Sequence, residues 1–425
     1  MNTTSKGRRG WLRTAAGIAM GTAGLTGTAS AKAATMTTPT DARGLAASYD
    51  IASDIVNLEN AYYGIMARPV AEDFKRNIDY LNLHNSRFLR REFDREGIEA
   101  VRAQLARHTG VDIKEIAITR GATESLQNLI ANYRPLKAGQ GVMYGNLDYD
   151  TMIDAMDDLA RRRGASVAKV EIPEPASRQN VIDTYERALK QHPRTRLLLL
   201  THISHRTGLA IPVAEIVRMA RGRNVDVIVD IAQSWGQLDF KIPDLGADFV
   251  GANLHKWVGA PLGLGFLYIR ENRLQDIDVQ LGSTIHPATD VRARVNAGTV
   301  NVAATMTIPA ALTYHAKVPL AERAACLRAL RDRWVHQVLE LPQVQVLTPE
   351  DPAMYGAVTS FRLRGRTTFE SNVALARTLA DDYGIFTVAR VGPAGGSCIR
   401  VTPSFFTTDA DLDKLVAAIR SLAAA

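Results

Sequence analysis

The sequence predicts an α/β protein with a large domain built on a mostly parallel seven-stranded sheet and a small α+β domain at the C-terminal end. Between about Asn57 and Arg270, apolar runs alternate with helix-period segments, which is typical of a parallel sheet covered by helices on both faces. A long helical pattern, Pro319 to Leu341, then ends this alternation. With 425 residues and 46% hydrophobic content, the chain can bury a sizeable core and form two domains.

Seven apolar runs are expected to form the large sheet. In chain order they read EIAIT, GVMYG, SVAKVEI, RLLLLTH, VDVIVD, DFVGANL and GLGFLYIR. Segments such as TMIDAMDDLARRRG and VAEIVRMARGR lie between them with the period of amphipathic helices. Beyond the long helix, AVTSFRLR, IFTVAR and CIRVTP indicate shorter strands, and SNVALARTLADDYG indicates a helix. We therefore divide the chain into a leader (1–33), an N-terminal segment (34–56), a large domain (57–300), and connecting helices with a small domain (301–425).

The positive charge of the chain is concentrated in the leader. The whole chain has 51 basic and 44 acidic residues and a net charge of +7, and residues 1–33 hold five of the basic residues and none of the acidic ones. The other residues are 46 basic against 44 acidic, a net charge of only +2. No basic run interleaved with aromatic residues accompanies this small excess, so the sequence argues against a nucleic-acid partner.

The leader itself is similar to a twin-arginine export signal. Arg8 and Arg9 precede a weakly apolar run rich in Gly, Ala and Thr, and the triplet AKA at 31–33 offers a cleavage site. A disordered basic tail is the alternative, which the expected order of these features disfavours. The apolar run is too short and too rich in glycine for a membrane anchor, and no other segment is expected to span a bilayer. The sequence thus predicts a periplasmic protein that is exported in the folded state by the twin-arginine machinery.

The chain has two cysteines, Cys326 and Cys398. They are too few for a disulfide framework in spite of the oxidising destination. One bridge between them stays open, but each lies in an apolar periodic context, which favours free thiols in the core.

An aspartate and a lysine are expected at the carboxyl ends of neighbouring strands. Asp230 ends VDVIVD, with Gln233 three residues on, and Lys256 follows the next strand. Catalytic groups of open α/β sheets gather at these strand ends, so both side chains can reach one crevice. A lysine that forms a Schiff base with an aldehyde and an aspartate that keeps a pyridine nitrogen protonated fit pyridoxal 5′-phosphate. Taken alone, the lysine is typical of a protein surface, and the aspartate of a helix cap or a metal ligand.

A metal site is the main alternative at this place because three histidines, His202, His205 and His255, lie nearby in the sequence. A phosphate pocket separates the two interpretations, since a metal enzyme does not need one. The segment ITRGATES indicates such a pocket: Ala122 and Thr123 lie between an apolar strand and a helix, where free backbone N–H groups favour a phosphate. The sequence therefore predicts a cofactor enzyme without a metal.

Six segments carry a family resemblance. In chain order they are TRGATES, THISHRTG, VDIAQSWG, ANLHKWVGAPLGLGFLYIR, NAGTVN and CIRVTPSFFTTDADLDKLVAAI. This set resembles the class V aminotransferase family of fold type I pyridoxal phosphate enzymes over essentially the whole chain after the leader. Within the family the chain is more similar to the isopenicillin N epimerase-like branch than to the cysteine desulfurases. Together with the leader, it resembles exported enzymes that tailor pyoverdine siderophores.

The resemblance implies a role for each residue of the cofactor site. Lys256 would be the Schiff-base lysine and proton carrier, Asp230 would pair with the pyridinium nitrogen, and Gln233 would bind the ring oxygen. Tyr149 would stack on the cofactor ring. The other residues that the resemblance places at the cofactor are Ala122, Thr123, Ser204, Asn253 and His255.

The resemblance also implies a partner subunit and a substrate contact. Gly298 and Thr299 in NAGTVN would reach the phosphate of the neighbouring subunit, which implies at least a homodimer. Arg400 in CIRVTP would hold the α-carboxylate of the substrate, because a guanidinium matches a planar carboxylate with two hydrogen bonds. Asn60 and Tyr62 would approach the substrate from the N-terminal segment.

The implied residues serve transamination, epimerisation and elimination alike. Desulfuration is disfavoured because it needs a mobile cysteine in a loop over the cofactor, whereas Cys398 lies in an apparent strand and Cys326 in a helical pattern. An exported enzyme has little access to cytoplasmic 2-oxo acids. The sequence therefore predicts tailoring of a peptide or siderophore through a free α-amino acid group, with an epimerase or lyase, a non-catalytic binding protein and a metal enzyme as alternatives.

Overall fold

The structure is a computed structural model that describes residues 42–424, so the predicted leader lies outside the described residues. The described residues form thirteen strands: β1 (Val56–Asn57), β2 (Ile116–Thr119), β3 (Gly141–Gly145), β4 (Ser166–Val170), β5 (Thr195–Thr201), β6 (Asp226–Asp230), β7 (Phe249–Asn253), β8 (Gly265–Ile269), β9 (Val344–Val346), β10 (Thr359–Leu363), β11 (Ile385–Phe386), β12 (Val388–Arg390) and β13 (Cys398–Val401). Their α-helices are α1 (Arg68–Phe88), α2 (Ile98–Thr109), α3 (Ala122–Ala131), α4 (Asp150–Arg163), α5 (Arg178–Gln191), α6 (Val213–Arg221), α7 (Val302–His315), α8 (Leu320–Val338), α9 (Phe369–Asp381) and α10 (Asp409–Ala424).

Seven strands form the large sheet in the order β2-β8-β7-β6-β5-β3-β4. The strands β4, β3, β5, β6 and β7 pair in parallel, and β8 runs antiparallel to both β7 and β2. Four consecutive leucines of β5, 197–200, are fully buried, as expected for a strand whose two faces are both covered by helices. The predicted α/β class and the mostly parallel seven-stranded sheet are confirmed.

The predicted lysine lies in the connection between β7 and β8. Residues 254–264 connect the two antiparallel strands, and Lys256 lies at the start of this connection, just beyond the carboxyl end of β7. On the other side of β8, the turn before α3 lies in close contact with the strand. A Cβ atom on Gly265 would come within 2.6 Å of the Gly121 Cα and 2.4 Å of the Ala252 carbonyl oxygen. Only glycine fits at this crossing, which brings the start of α3 next to the lysine connection.

A smaller antiparallel sheet follows the long helix α8, in the order β12-β13-β10-β9. Helix α9 packs on β12 and β13, and α10 packs against α8. This part has the predicted α+β character, and the boundary at residue 300 stays a prediction. Residues 56–59 contact this part of the chain, since β1 pairs in parallel with β11 and Glu59 forms a bridge with Thr402.

Cys326 and Cys398 are not joined by a disulfide, as the sequence favoured: Cys398 is buried in β13 and Cys326 is partly buried in α8. Within residues 42–424, no helix combines the length and the apolar character that a bilayer crossing requires.

Candidate active site

A cavity of about 680 Å³ opens where the large sheet, the small sheet and the N-terminal segment meet. The ends of three parallel strands reach it through Thr201 of β5, Asp230 of β6 and Asn253 of β7. The sequence-predicted residues that line it are Tyr62, Ala122, Thr123, Tyr149, Asp230, Gln233, Asn253, His255, Lys256 and Arg400. Convergence at these strand ends is the arrangement expected for an open α/β sheet.

Four predicted residues do not line this cavity. Asn60 is buried beside it and donates hydrogen bonds to the carbonyls of Thr402, at 2.8 Å, and Asn57, at 3.1 Å. The hydroxyl of Ser204 donates to the Leu147 carbonyl at 3.2 Å, so it serves the loop that follows β5. Gly298 and Thr299 are exposed, and Gly298 lines a second cavity of about 210 Å³. Arg120 borders both cavities, which therefore adjoin.

Lys256 is the partly buried amine of the site. Burial lowers its pKa from 10.5 to about 8, against the opposing influence of the Asp230 carboxylate, and the Arg400 guanidinium lowers it further. The backbone around it is fixed by the N-terminal segment. Gly64 donates its N–H to the His255 carbonyl at 2.9 Å, and a Cβ atom at position 64 would lie 1.8 Å from the Lys256 carbonyl oxygen. A weakly basic amine on a fixed backbone is suited to react with an aldehyde.

Asp230 is buried at the end of β6 and accepts a hydrogen bond from the Ala232 N–H at 2.7 Å. Burial raises its pKa, whereas this hydrogen bond and the nearby Lys256 ammonium lower it. A buried carboxylate with a free oxygen is a strong partner for a cationic N–H group, because no water competes for it.

Gln233 is held by its neighbours in one orientation. Its Nε2 donates to the Ala61 carbonyl at 2.8 Å, and its Oε1 accepts from the indole N–H of Trp257 at 3.2 Å. Through these two hydrogen bonds Gln233, in the turn after β6, contacts both Ala61 and Trp257, the residue that follows Lys256.

The start of α3 forms the anion-binding end of the cavity. Ala122 and Thr123 are the first residues of this helix, where backbone N–H groups have no partner within the helix. The Ala122 N–H donates to Asn253 Oδ1 at 2.8 Å. His255 bonds the Leu264 carbonyl through Nδ1 at 3.0 Å, and burial lowers its pKa to about 4, so its imidazole is neutral. The start of α3, the Asn253 amide and the neutral His255 imidazole thus give this end of the cavity hydrogen-bond donors for a phosphate.

Tyr149 and His205 form an aromatic pair in the cavity. Their ring centroids lie 5.2 Å apart and the planes are nearly perpendicular, at 89°. Burial and the neighbouring Arg206 guanidinium lower the pKa of His205 well below its ordinary value. His205 Nδ1 is one of the buried polar atoms of the described residues that have no hydrogen-bond partner. Such orphaned polar atoms in a cavity wall indicate a polar ligand.

Three charged residues of the site were missed by the sequence analysis. Glu59 is buried and forms an ion pair with Arg400, and Arg390 of β12 lines the cavity with its Nη2 atom 3.8 Å from Glu59 Oε1. Arg206 lines it as well and is paired with Asp150. The acidic position in NLENAYYG was the available sequence signal for Glu59.

The chemistry of these groups fits pyridoxal phosphate. The cavity offers an amine of lowered pKa, a buried carboxylate, a helix start for the phosphate and an unpartnered imidazole nitrogen in its wall. The metal alternative finds no such support, since no cluster of three or more metal-binding side chains occurs within residues 42–424.

Comparison with known proteins gives matches over most of the chain. The model of the family described as aminotransferase class-V matches residues 77–415. Isopenicillin N epimerase of Streptomyces clavuligerus is 28% identical over 384 residues, which cover 87% of this chain and 95% of that protein.

Two solved structures share the fold. The apo cysteine desulfurase of Thermococcus onnurineus superposes with a TM-score of 0.78 at 20% identity, over 92% of this chain and all of that one. A variant of C-DES with glycine covalently linked to its PLP cofactor superposes with a TM-score of 0.72 at 23% identity, over 86% of this chain and 96% of that one.

Proposed function

This chain belongs to the class V aminotransferase family of pyridoxal phosphate enzymes, and on that premise we propose that it acts on the free α-amino acid group of a peptide or siderophore-type substrate. Transamination-type tailoring, such as modification of the side-chain glutamate of a pyoverdine, is the reaction we propose. The single observation that carries the enzyme assignment is Lys256, with its lowered pKa, in one cavity with Asp230 and the start of α3.

When bound, pyridoxal phosphate supplies an aldehyde for amines and a ring that takes up electrons from the substrate Cα. The residues of the cavity would have separate roles toward the cofactor and the substrate. The start of α3 would hold the phosphate, and Asp230 would keep a proton on the ring nitrogen. Lys256, once free, holds and moves a proton at Nζ, and a pKa of about 8 lets it act in both directions near neutral pH.

Epimerisation is a second candidate, which the similarity to isopenicillin N epimerase over 87% of the chain favours. Desulfuration is disfavoured by the cysteines. Burial raises the pKa of Cys398 to about 11, its sulfur lies within β13, and the loop 391–397 between β12 and β13 contains no cysteine. A thiol that stays protonated inside a strand is unsuited to attack a sulfur atom over the cofactor.

Export and dimerisation are parts of the same proposal. The order of features in residues 1–33 supports twin-arginine export and a periplasmic location. A homodimer is supported by exposed apolar side chains next to Gly298: Ile285 and Val300 border the second cavity, and Leu281 lies almost fully exposed nearby. In such a dimer Thr299 would complete the site of the partner.

The test of the enzyme assignment is the visible spectrum of the purified protein after loading with pyridoxal phosphate. We expect a band near ~420 nm that is lost or shifted in Lys256→Ala. Lys241→Ala is the matched control, because Lys241 lies outside the cavity and donates to the His108 carbonyl. A protein that stays colourless after loading would contradict the assignment.

The fate of the Cα proton distinguishes the two reactions. The loaded enzyme is incubated in D2O with a peptide that bears a glutamate linked through its side chain, so that the α-amine and α-carboxylate are free. Transamination converts the group to a 2-oxo acid, whereas epimerisation gives the D-isomer with deuterium at Cα.

A further inference from the structure

A third cavity, of about 400 Å³, opens between α2, α7 and the start of α8, and we call it the basic cavity. The exposed cations Arg107 and Lys241 line it, and none of the described residues that line it is acidic. Neither cation forms an ion pair within residues 42–424. Lys241 Nζ donates to the His108 carbonyl, which holds the ammonium at the cavity and leaves its other N–H groups available. The other polar lining residues are Gln104 and His315.

A buried arginine adds a third positive charge next to the basic cavity. Arg323 lies one turn of α8 beyond Pro319, a lining residue, and its side chain is buried. Its Nη1 donates to the His315 carbonyl at 3.3 Å, and its guanidinium lies over the Phe405 ring at 4.3 Å. Its Nε is buried without a hydrogen-bond partner, and it forms no ion pair with the part of the chain that the structure describes. A buried charge without a counter-charge is costly, so an anion bound nearby would stabilise this part of the fold.

The two histidines of the basic cavity lie in the field of these cations. The ring centroids of His108 and His315 are 5.5 Å apart, and His315 Nε2 donates to the Gly236 carbonyl at 3.0 Å. Burial lowers the pKa of His108 to about 4, and the Lys241 and Arg323 cations lower it further. Burial likewise lowers the pKa of His315 well below its ordinary value, and Arg323 contributes. Both imidazoles are therefore neutral at neutral pH, and the excess positive charge comes from the lysine and the arginines.

We propose that the basic cavity binds a phosphate-type dianion, either free phosphate or the phosphate group of an ester. Arg107 and Lys241 offer charged donors, and the Gln104 amide adds a neutral one. A dianion is favoured over a carboxylate with a single charge, because three cations converge here without an acidic residue among those that line the cavity. No residue lines both this cavity and the first one, so the inference goes beyond the proposed function and does not depend on it.

Inorganic phosphate is the probe. Its binding to the cofactor-loaded protein is measured by calorimetry, with the ionic strength held constant by chloride. We expect Arg107→Met combined with Lys241→Met to weaken binding by about tenfold or more, and the fold should persist because both side chains are exposed. Arg364→Met combined with Lys414→Met removes the same charges from exposed positions elsewhere and is the matched control, which should bind as the native protein does.

Glycerol 3-phosphate distinguishes the two sources of the dianion. If it binds with an affinity similar to that of phosphate, the site takes phosphate esters. If only inorganic phosphate binds, the site takes the free ion. Either result supports the proposal when the Arg107→Met, Lys241→Met variant loses the binding.

The imidazole signals of His108 in nuclear magnetic resonance give an independent measurement. A bound dianion opposes Lys241 and Arg323, so phosphate should raise the pKa of His108 in the native protein and leave it unchanged in the double variant. The proposal is overturned if the native protein and the double variant bind phosphate equally, or if phosphate moves this pKa no more than chloride does. All variants share the same first cavity, so phosphate bound there cancels in the comparison. The cofactor band, recorded for each variant, tests the enzyme assignment separately.

Discussion

Asn253 and Ala122 are joined by a hydrogen bond of 2.8 Å, in which the Ala122 N–H donates to the Asn253 side-chain oxygen. The bond links the end of β7, three residues before Lys256, to the first turn of α3. It therefore couples the position of the reactive amine to the position of the expected phosphate site.

Substitution of Asn253 should separate stability from cofactor affinity. Asn253→Ala removes the acceptor of a helix-start N–H, and we expect it to lower the free energy of unfolding of the apoprotein by about 1 kcal/mol. Asn253→Asp keeps the acceptor at the positive end of the helix dipole and should stabilise the apoprotein relative to Asn253→Ala. The aspartate charge repels a phosphate, so the Asn253→Asp variant should bind pyridoxal phosphate at least about tenfold more weakly than the Asn253→Ala variant. Thermal unfolding and equilibrium titration measure the two quantities, and equal affinities would place the phosphate elsewhere.

The lowered pKa of Lys256 predicts how cofactor loading depends on pH. Only the neutral amine reacts with an aldehyde, and a pKa of about 8 makes about a tenth of the Lys256 side chains neutral at pH 7. We expect the loading rate of the apoprotein to rise with pH up to about 8 and then to level, whereas a free lysine amine continues to rise toward 10.5. The Asp230 carboxylate raises this pKa, so Asp230→Asn should move the plateau to lower pH. A rate that still rises above pH 9 in the native protein would contradict the burial of the amine.

The strands of the large sheet and most of the site could be predicted from local sequence. Runs such as RLLLLTH have no polar face and can only be buried on both sides, which fixes them as central parallel strands. Once the strands are assigned, Asp230 and Asn253 must meet, because the carboxyl ends of parallel strands share one edge.

The charge arrangement at the small sheet could not be predicted in this way. Glu59 and Arg400 are 341 residues apart, and the pairing of β1 with β11 together with the bridge between Glu59 and Thr402 brings them next to each other. The Ser204 hydroxyl likewise bonds a carbonyl 57 residues away, that of Leu147. Burial of an ion pair is a property of the assembled fold, so no local pattern predicts which arginine lies closest to Glu59.

The buried thiol of Cys398 predicts resistance to alkylation. With a pKa of about 11, about one thiol in a thousand is ionised at pH 8. Iodoacetamide should modify Cys398 only in denaturant. Cys398→Ala should keep the cofactor band and the reaction of amino acids with the loaded enzyme, with Cys326→Ala as the matched control. A persulfide found on Cys398 by mass spectrometry after treatment with L-cysteine would reinstate desulfuration.

The exposed position of Thr299 allows a complementation test of the proposed homodimer. In a homodimer where Thr299 reaches the partner's phosphate, Thr299→Asp should weaken pyridoxal phosphate binding by about tenfold or more through charge repulsion. Because the side chain is exposed in the single chain, the substitution should leave the fold of each subunit intact.

Mixed dimers of Thr299→Asp with Lys256→Ala then decide which subunit Thr299 serves. If Thr299 serves the partner, one of the two sites combines the native Lys256 of the Thr299→Asp subunit with the native Thr299 of the Lys256→Ala subunit. That site should bind the cofactor with native affinity, so the mixed dimer should bind half the native amount of cofactor. If Thr299 serves its own subunit, neither site has both residues, and the mixed dimer binds no better than Thr299→Asp alone. Differently tagged subunits permit isolation of the mixed species, and a chain that sediments as a monomer when loaded with cofactor would rule out the shared site.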